Sequence, residues 1–289
     1  MRRRRFLAIA ACAAAWPPAA RAVEWHGQAF GADARITLTG PGDSAAVLDE
    51  VRHEVRRLEA RFSLFDPGSE LSRLNREGGL DAPSGDMRAV LAECDLAWRA
   101  TGGAFDPTVQ PLWRALAEGG DVAAARGLVG WNHVWSLDGR VRIGPGQALT
   151  LNGIAQGHAA DRVRDLLAQR GYTHALVDMG EMAALGGPFR IGLSDPQHGL
   201  LARETLLGLS VATSSPGAMT LGGGGHILGP AGQAPRWSTV SVTARSAARA
   251  DALSTALCLC DADTIRSVRR AGLAERILVV TADGDLTRV

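Results

Sequence analysis

Apolar residues recur at helical spacing in several windows. Between residues 45 and 63, Val47, Val51, Val55, Leu58 and Phe62 fall on one face, which predicts an amphipathic helix. A second helix is predicted over 87–101, with Gly102-Gly103 as its stop. A third covers 157–170, where Val163, Leu166 and Leu167 point inward and Gly171 ends it. A fourth covers 246–260, and a shorter one capped by Asp263 runs to about 271. Strand-like runs occupy 173–179, 189–194, 205–213 and 238–244. Two β-runs flank Asp138-Gly139 between Trp131 and Ile143, which is a hairpin signal, and Ile277–Thr281 and Leu286–Val289 flank Asp283-Gly284. Strands grouped around hairpin turns and mixed with helices predict an α+β fold with mixed or antiparallel sheets, not a doubly wound one.

The first 22 residues break the pattern and read as an export signal. Arg2–Arg5 form a charged n-region, Phe6–Trp16 an 11-residue apolar run, and Ala20-Arg21-Ala22 an A-x-A cleavage site. That run is too short to span a bilayer. Arg3-Arg4-Arg5-Phe6-Leu7 resembles the core of twin-arginine signals; an ordinary Sec signal and a lipobox ending at Cys12 are the alternatives. Membrane association is expected only if Cys12 is lipidated. Residues 23–289 are then one domain, exported to the periplasm.

Composition narrows the chemistry. Hydrophobic residues make up 46% of the 289 and charged residues 21%, so a packed core is available. Formal net charge is +1, and no nucleic-acid partner is expected from so balanced a surface. All 31 basic residues are arginine, which excludes lysine Schiff-base chemistry. Without its first 22 residues the chain loses five arginines and Cys12, leaving 26 basic and 30 acidic residues and three cysteines. That odd number argues against a disulfide framework. Cys258 and Cys260 read as core residues of an apolar helix.

Four glycine-bearing stretches could carry chemistry: Thr101–Thr108, Leu151–His158, Asp178–Glu181 and Leu221–His226. The second leads into a helix, where free backbone N–H groups favour an anion, although tight turns explain glycine equally well. Asp251 and Thr255 lie four residues apart on a predicted helix and face one side. A carboxylate and a hydroxyl suit Mg²⁺ held together with a phosphate, or else a helix terminus and a back-bonded threonine. His226, after four glycines, is a candidate general base. No G-x-S-x-G or H-E-x-x-H is present, which removes lipase-like and zincin readings.

Taken in order, these pieces resemble the ApbE family, the FAD:protein FMN transferases. Phe30-Gly31 with Ile36 resembles the opening M-G-T segment. The block Ser63–Asn75, with its Ser69-Glu70-Leu71-Ser72, resembles S-x-Y/W-x-x-x-S-E-L-S-x-L-N, and Gly102–Thr108 is similar to G-G-A-F-D-P-T. Asn152–Gly157 with Asp161 resembles G-G-I-A-K-G-x-x-x-D, and Gly180-Glu181 resembles the flavin-site turn. Ala212-Thr213-Ser214, His226–Pro230 and Ala250–Ala256 resemble T-S-G, H-I-I-D-P and A-D-A-L-A-T-A.

The resemblance implies an ApbE-like (T-fold-like) domain with FAD in a central cleft. It implies transfer of FMN from FAD to a threonine hydroxyl of an acceptor flavoprotein, with release of AMP. Mg²⁺ would be held by Asp251, Thr255 and the carbonyl of Ala155. His226 would be the catalytic base. Phe65 would stack on a ring, and Asn75, Asp106, Thr108, Asn152, Gly153, Gly157, Glu181 and Thr213 would bind FAD. Gln156 stands where the family usually has Lys, Asn152 where it has Gly, Thr150 and Gly229 where it has Asp, and residues 214–219 lack its acidic, aromatic and Arg residues. An FAD pyrophosphatase and a flavin-binding accessory protein without turnover are the alternatives.

Overall fold

The computed structural model describes residues 22–40 and 44–289. The export-signal segment, including Cys12, lies outside the described residues apart from Ala22. The first hairpin, β1 (Val23–Ala29) and β2 (Ala32–Thr39), was not predicted. Its turn is Phe30-Gly31, both at positive φ (53° and 73°). Phenylalanine is an unusual occupant of that region. Glu59 accepts the Phe30 N–H at 2.7 Å and holds the turn against the following helix.

That helix, α1 (Ser44–Phe62), buries the predicted Val47, Val51, Val55, Leu58 and Phe62. A long insertion follows. It contains α2 (Glu70–Glu77), β3 (Gly79–Leu80), α3 (Gly85–Ala100), α4 (Gln110–Glu118), α5 (Val122–Arg126), β4 (Trp135–Leu137) and β5 (Arg140–Arg142). Strands β3, β5 and β4 form a small antiparallel sheet closed by the expected Asp138-Gly139 turn, both residues again at positive φ. α3 starts two residues earlier than expected because Ser84 accepts the Met87 N–H and caps it.

The chain then enters α6 (Ala155–Gln169) and the strands β6 (His174–Asp178), β7 (Met182–Leu185), β8 (Phe189–Asp195), β9 (Gly199–Leu206) and β10 (Ser210–Ser214). The single strand expected over 205–213 is two strands, broken at Leu207–Leu209, where Gly208 takes φ +60°. A small hairpin, β11 (Thr220–Leu221) and β12 (Gly224–Gly225), precedes β13 (Thr239–Ala244) and α7 (Ala247–Leu257). α8 (Ala262–Arg270), β14 (Arg276–Val280) and β15 (Leu286–Arg288) complete the chain. The cap of α8 is Asp261, which accepts the Thr264 N–H at 2.8 Å; the expected Asp263 lies inside the helix.

Eight strands form one sheet in the order β1-β2-β6-β7-β10-β13-β14-β15, with every pair antiparallel. The α+β expectation therefore holds. Alternation along the strands decides which layer each side chain joins. Ala175 and Val177 of β6 and Ala183 of β7 face the core shared with α1 and α6, whereas Leu176, Met182 and Ala184 pack with Ile191 and Leu206 of the β8–β9 hairpin. Cys94, Cys258 and Cys260 are buried free thiols, as read. Burial pushes the Cys260 thiol up to about 11, so it stays protonated at neutral pH.

Helices α6 and α7 meet at Gly157. A Cβ there would stand 2.3 Å from the Ala247 carbonyl oxygen and 2.8 Å from the Ala248 Cα. Only glycine permits this approach, because the opposing atoms are backbone. Gly157→Ala should lower unfolding free energy by roughly 1–3 kcal/mol, the usual range for overpacking, or more because backbone cannot yield. Urea denaturation measures it, and unchanged stability would mean that the helices separate freely.

Candidate functional site

The sheet positions the candidate residues at the ends of β10 and β13 and at the start of α6. The connection from β10 to β13 carries His226. The glycine run before it is explained locally. Gly222 and Gly223 take φ +56° and +84° to close the β11–β12 turn, and a Cβ on Gly225 would meet the Pro216 carbonyl at 2.7 Å. His226 Nδ1 lies 3.2 Å from that same Pro216 carbonyl. A carbonyl only accepts, so the contact assigns the proton to Nδ1 and leaves the ring lone pair on Nε2.

Asp251 and Thr255 lie one turn apart on α7. Asp251 is 2% exposed, and its Oδ2 accepts the Gly157 N–H at 3.2 Å. Thr255 stands beneath Gly153, where a Cβ would come within 3.1 Å of its hydroxyl oxygen. Ser214 Oγ, from β10, is 2.8 Å from Ser254 Oγ and 3.3 Å from Thr255 Oγ1. These two serines complete a hydroxyl cluster that the sequence did not single out. Its only signal was the run Thr213-Ser214-Ser215 at a strand end.

Ala155 opens α6, so its carbonyl, Gly153, Thr255 and Asp251 share one locality. The donor set is all oxygen with one carboxylate. Among the described residues no group of three or more His, Cys, Asp or Glu could hold a metal ion. Such a site suits a hard cation that takes its remaining ligands from phosphate and water. The residues therefore fit Mg²⁺.

Glu181 lies in the β6–β7 turn, 2% exposed, and its Oε2 accepts the Thr213 N–H at 3.2 Å. Thr213 Oγ1 donates to Ser241 Oγ at 3.0 Å. Gln156 is buried and donates from Nε2 to the Met179 carbonyl, which ties α6 to that turn and leaves its Oε1 without a partner. Phe65 is 89% exposed on the loop before α2. Asn152 is also exposed.

Three expected cleft residues serve the scaffold. Asp106 accepts the Thr108 N–H (2.8 Å) and hydroxyl (2.5 Å) on one oxygen and the Trp131 N–H (3.0 Å) on the other. Burial pushes its carboxyl pKa up, against those hydrogen bonds. Thr108 is fully buried and accepts the Gly130 N–H at 2.7 Å. Asn75 pairs with both backbone groups of Leu149, at 2.9 and 2.7 Å. The Thr150 N–H donates to the Pro107 carbonyl, so this scaffold positions the turn that carries Asn152 and Gly153. Gly229, where the family has Asp, leaves no room for a side chain, since its Cβ would stand 2.1 Å from the Gln233 carbonyl.

A charged cleft of about 480 Å³ lies among α1, α3 and α6. His158 Nε2 is 3.2 Å from Asp86, whose other oxygen accepts from Arg57 at 2.6 Å; Arg57 also pairs with Glu54 at 2.7 Å. Burial depresses the His158 pKa, against the pull of Asp86.

Solved structures match this architecture. The ApbE protein of Thermotoga maritima aligns with TM-score 0.83 at 25% identity, over 93% of this chain and 97% of that one. The flavin transferase ApbE from Vibrio cholerae aligns with TM-score 0.81 at 23% identity over the same shares. A family model described as the ApbE family matches residues 30–277. The chain belongs to the ApbE family. Among curated relatives, a Haemophilus influenzae protein named FAD:protein FMN transferase is 24% identical over 323 residues, spanning 98% of this chain and 93% of its own. A Salmonella typhimurium protein of the same name is 26% identical over 308 residues, spanning 92% and 86%.

The buried histidine sets a pH dependence. The unfolded chain binds the His158 proton near the ordinary ~6.5 and the folded chain only below that. The stability this confers is present above about pH 6.5 and is lost as pH falls through the depressed folded value. Unfolding free energy should therefore fall on acidification below about 6.5, by at most ~1.4 kcal/mol per pH unit for one group. His158→Gln should flatten that slope, leaving the part owed to His174, which burial also depresses. An unchanged slope in the variant would remove His158 as its source.

Proposed function

We propose that this protein is an FAD:protein FMN transferase, acting in the periplasm after export, that moves FMN from FAD to a threonine hydroxyl of an acceptor flavoprotein and releases AMP. The observation that carries this reading is the meeting of Asp251, Thr255 and the first turn of α6 in one all-oxygen site beneath Gly153. Family membership and the names of the curated relatives support it.

In this reading Asp251, Thr255 and the Ala155 carbonyl hold Mg²⁺. The ion would offset the charge of the FAD pyrophosphate. Ser214 and Ser254 orient the Thr255 hydroxyl. Asn152 and Gly153 offer backbone N–H groups to the phosphates, whereas the Gly157 N–H is taken by Asp251. Glu181 and Thr213 brace the flavin side through Gln156 and the β6–β7 turn, and Phe65 offers a ring face. His226 Nε2 takes the proton of the acceptor hydroxyl. The bond from that oxygen to the FMN phosphorus forms as the pyrophosphate P–O bond breaks, and the electron pair leaves with AMP. Asp106, Thr108 and Asn75 act through the turn they hold.

Gly229 and the altered 214–219 stretch favour a second reading, a flavin-holding protein without turnover. One experiment separates the two. Purified residues 23–289, FAD, Mg²⁺ and a periplasmic flavin-acceptor domain are incubated, denatured and run on a gel read by flavin fluorescence. A covalent band that EDTA abolishes is expected. FAD binding with no band on any acceptor would establish the second reading, and AMP release at the same rate without acceptor would establish a pyrophosphatase. His226→Ala should slow labelling by ~10²–10⁴-fold, the usual contribution of a general base. Asp251→Ala should abolish it. Full labelling by both variants would overturn the site.

A further inference from the structure

Helices α6 and α7 each begin without the usual satisfaction of their first N–H groups. Ile154, at the N-cap of α6, provides no side-chain cap. The missing acceptor comes from the other helix, because Asp251 of α7 takes the Gly157 N–H at 3.2 Å. The exchange is reciprocal. Asp161 of α6 accepts the Ala247 N–H at 2.9 Å on one oxygen and the Ala248 N–H at 3.0 Å on the other. Ser246, the N-cap of α7, donates its hydroxyl to Asp161 at 2.8 Å while accepting the Arg249 N–H at 3.2 Å. Arg164, one turn further along α6, pairs with Asp161 at 2.9 Å and also reaches the Arg245 carbonyl at 3.2 Å.

We propose that Asp161 is a positioning residue for the cation site. Gly157 and Asp161 lie four residues apart, on one face of α6. Ala247 and Asp251 lie four apart, on one face of α7. The two carboxylates therefore fasten the same pair of faces at successive turns, with Gly157 allowing backbone contact between them. Asp161 sets where the first turn of α7 lies along α6. That placement decides whether Asp251 reaches the start of α6, where the Ala155 carbonyl and Thr255 converge. Asp161 itself touches no expected ligand, since its oxygens are occupied by α7 and Arg164. Its effect passes through Asp251. The inference rests on the proposed Mg²⁺ site and adds to it the residue that holds its geometry.

Asp161→Asn tests this. The amide keeps one acceptor oxygen but turns a donor toward an N–H or hydroxyl that needs an acceptor. The readout is the Mg²⁺ concentration that half-saturates quenching of FAD fluorescence by the full mature chain, measured without acceptor protein, beside the melting temperature. The expected result is a rise of ~10-fold or more in that concentration, the scale on which supporting residues tune metal affinity. Val163→Ala, a buried position on the same helix that makes no contact with the caps, is the control. It should lower the melting temperature and leave the Mg²⁺ midpoint in place. Equal midpoints for Asp161→Asn and Val163→Ala would reduce Asp161 to a stability role and overturn the inference. If Asp161→Asn does not fold, Ser246→Ala removes one donor to Asp161 and should move the midpoint in the same direction by less; no movement there would overturn the inference too. A wild-type chain that binds FAD with no response to Mg²⁺ would instead defeat the cation site itself, and the inference with it.

Discussion

The backbone contact between α6 and α7 is the constraint on which the rest depends. At Gly157 no side chain separates the helices, and the buried carboxylate of Asp251 meets a peptide N–H where a surface helix would meet water. Buried carboxylates are costly unless hydrogen bonds satisfy them. Here the groups that satisfy one are the unpaired N–H groups every helix start must place somewhere. One need answers the other, and the helix pair becomes rigid at the end where reactive groups are gathered. The sheet beneath supplies Ser214 to the same place, and the β10–β13 connection brings His226 into its neighbourhood.

The sequence motifs divide into two populations that look alike on paper. Asp251, Thr255, Gly153 and Ala155 meet at one locus. Asp106, Thr108 and Asn75 use their polar atoms on the backbone of neighbouring segments and hold the 149–153 turn from behind. Residue type does not separate the two groups, since an aspartate or threonine serves equally as a ligand or as an internal cap. Partner count does. Asp106 receives three donors from the protein itself, which is what a carboxylate fixed for architecture requires.

Much of the fold was legible because helical periodicity and hairpin signals are local. The amphipathic α1, the Asp138-Gly139 hairpin, the C-terminal hairpin and the buried cysteines follow from short-range patterns. The β1–β2 hairpin escaped because its turn is Phe-Gly, held by Glu59 from a distant segment, and no turn rule favours phenylalanine there. Strands β9 and β10 merged because Leu206, Leu207 and Leu209 continue an apolar run across Gly208. Asp263 was taken for Asp261 because two acidic residues flank one helix start. At the site, the Asp251/Thr255 spacing was legible, whereas the reciprocal roles of Asp161 and Gly157 arise only when two helices 90 residues apart are laid together.

Gly229 has a bearing on the history of the chain. The segment from Gly229 to Gln233 folds back so closely that the Gly229 Cα faces the Gln233 carbonyl, while Arg126 and Gly232 donate to its own carbonyl. The ancestral choice at such a position is not recovered by one substitution, because an aspartate would first need the loop to be rebuilt around it. The change is entrenched. A lineage carrying it explores sequence space with that loop closed, and any renewed polar contact near His226 must arrive from a different position.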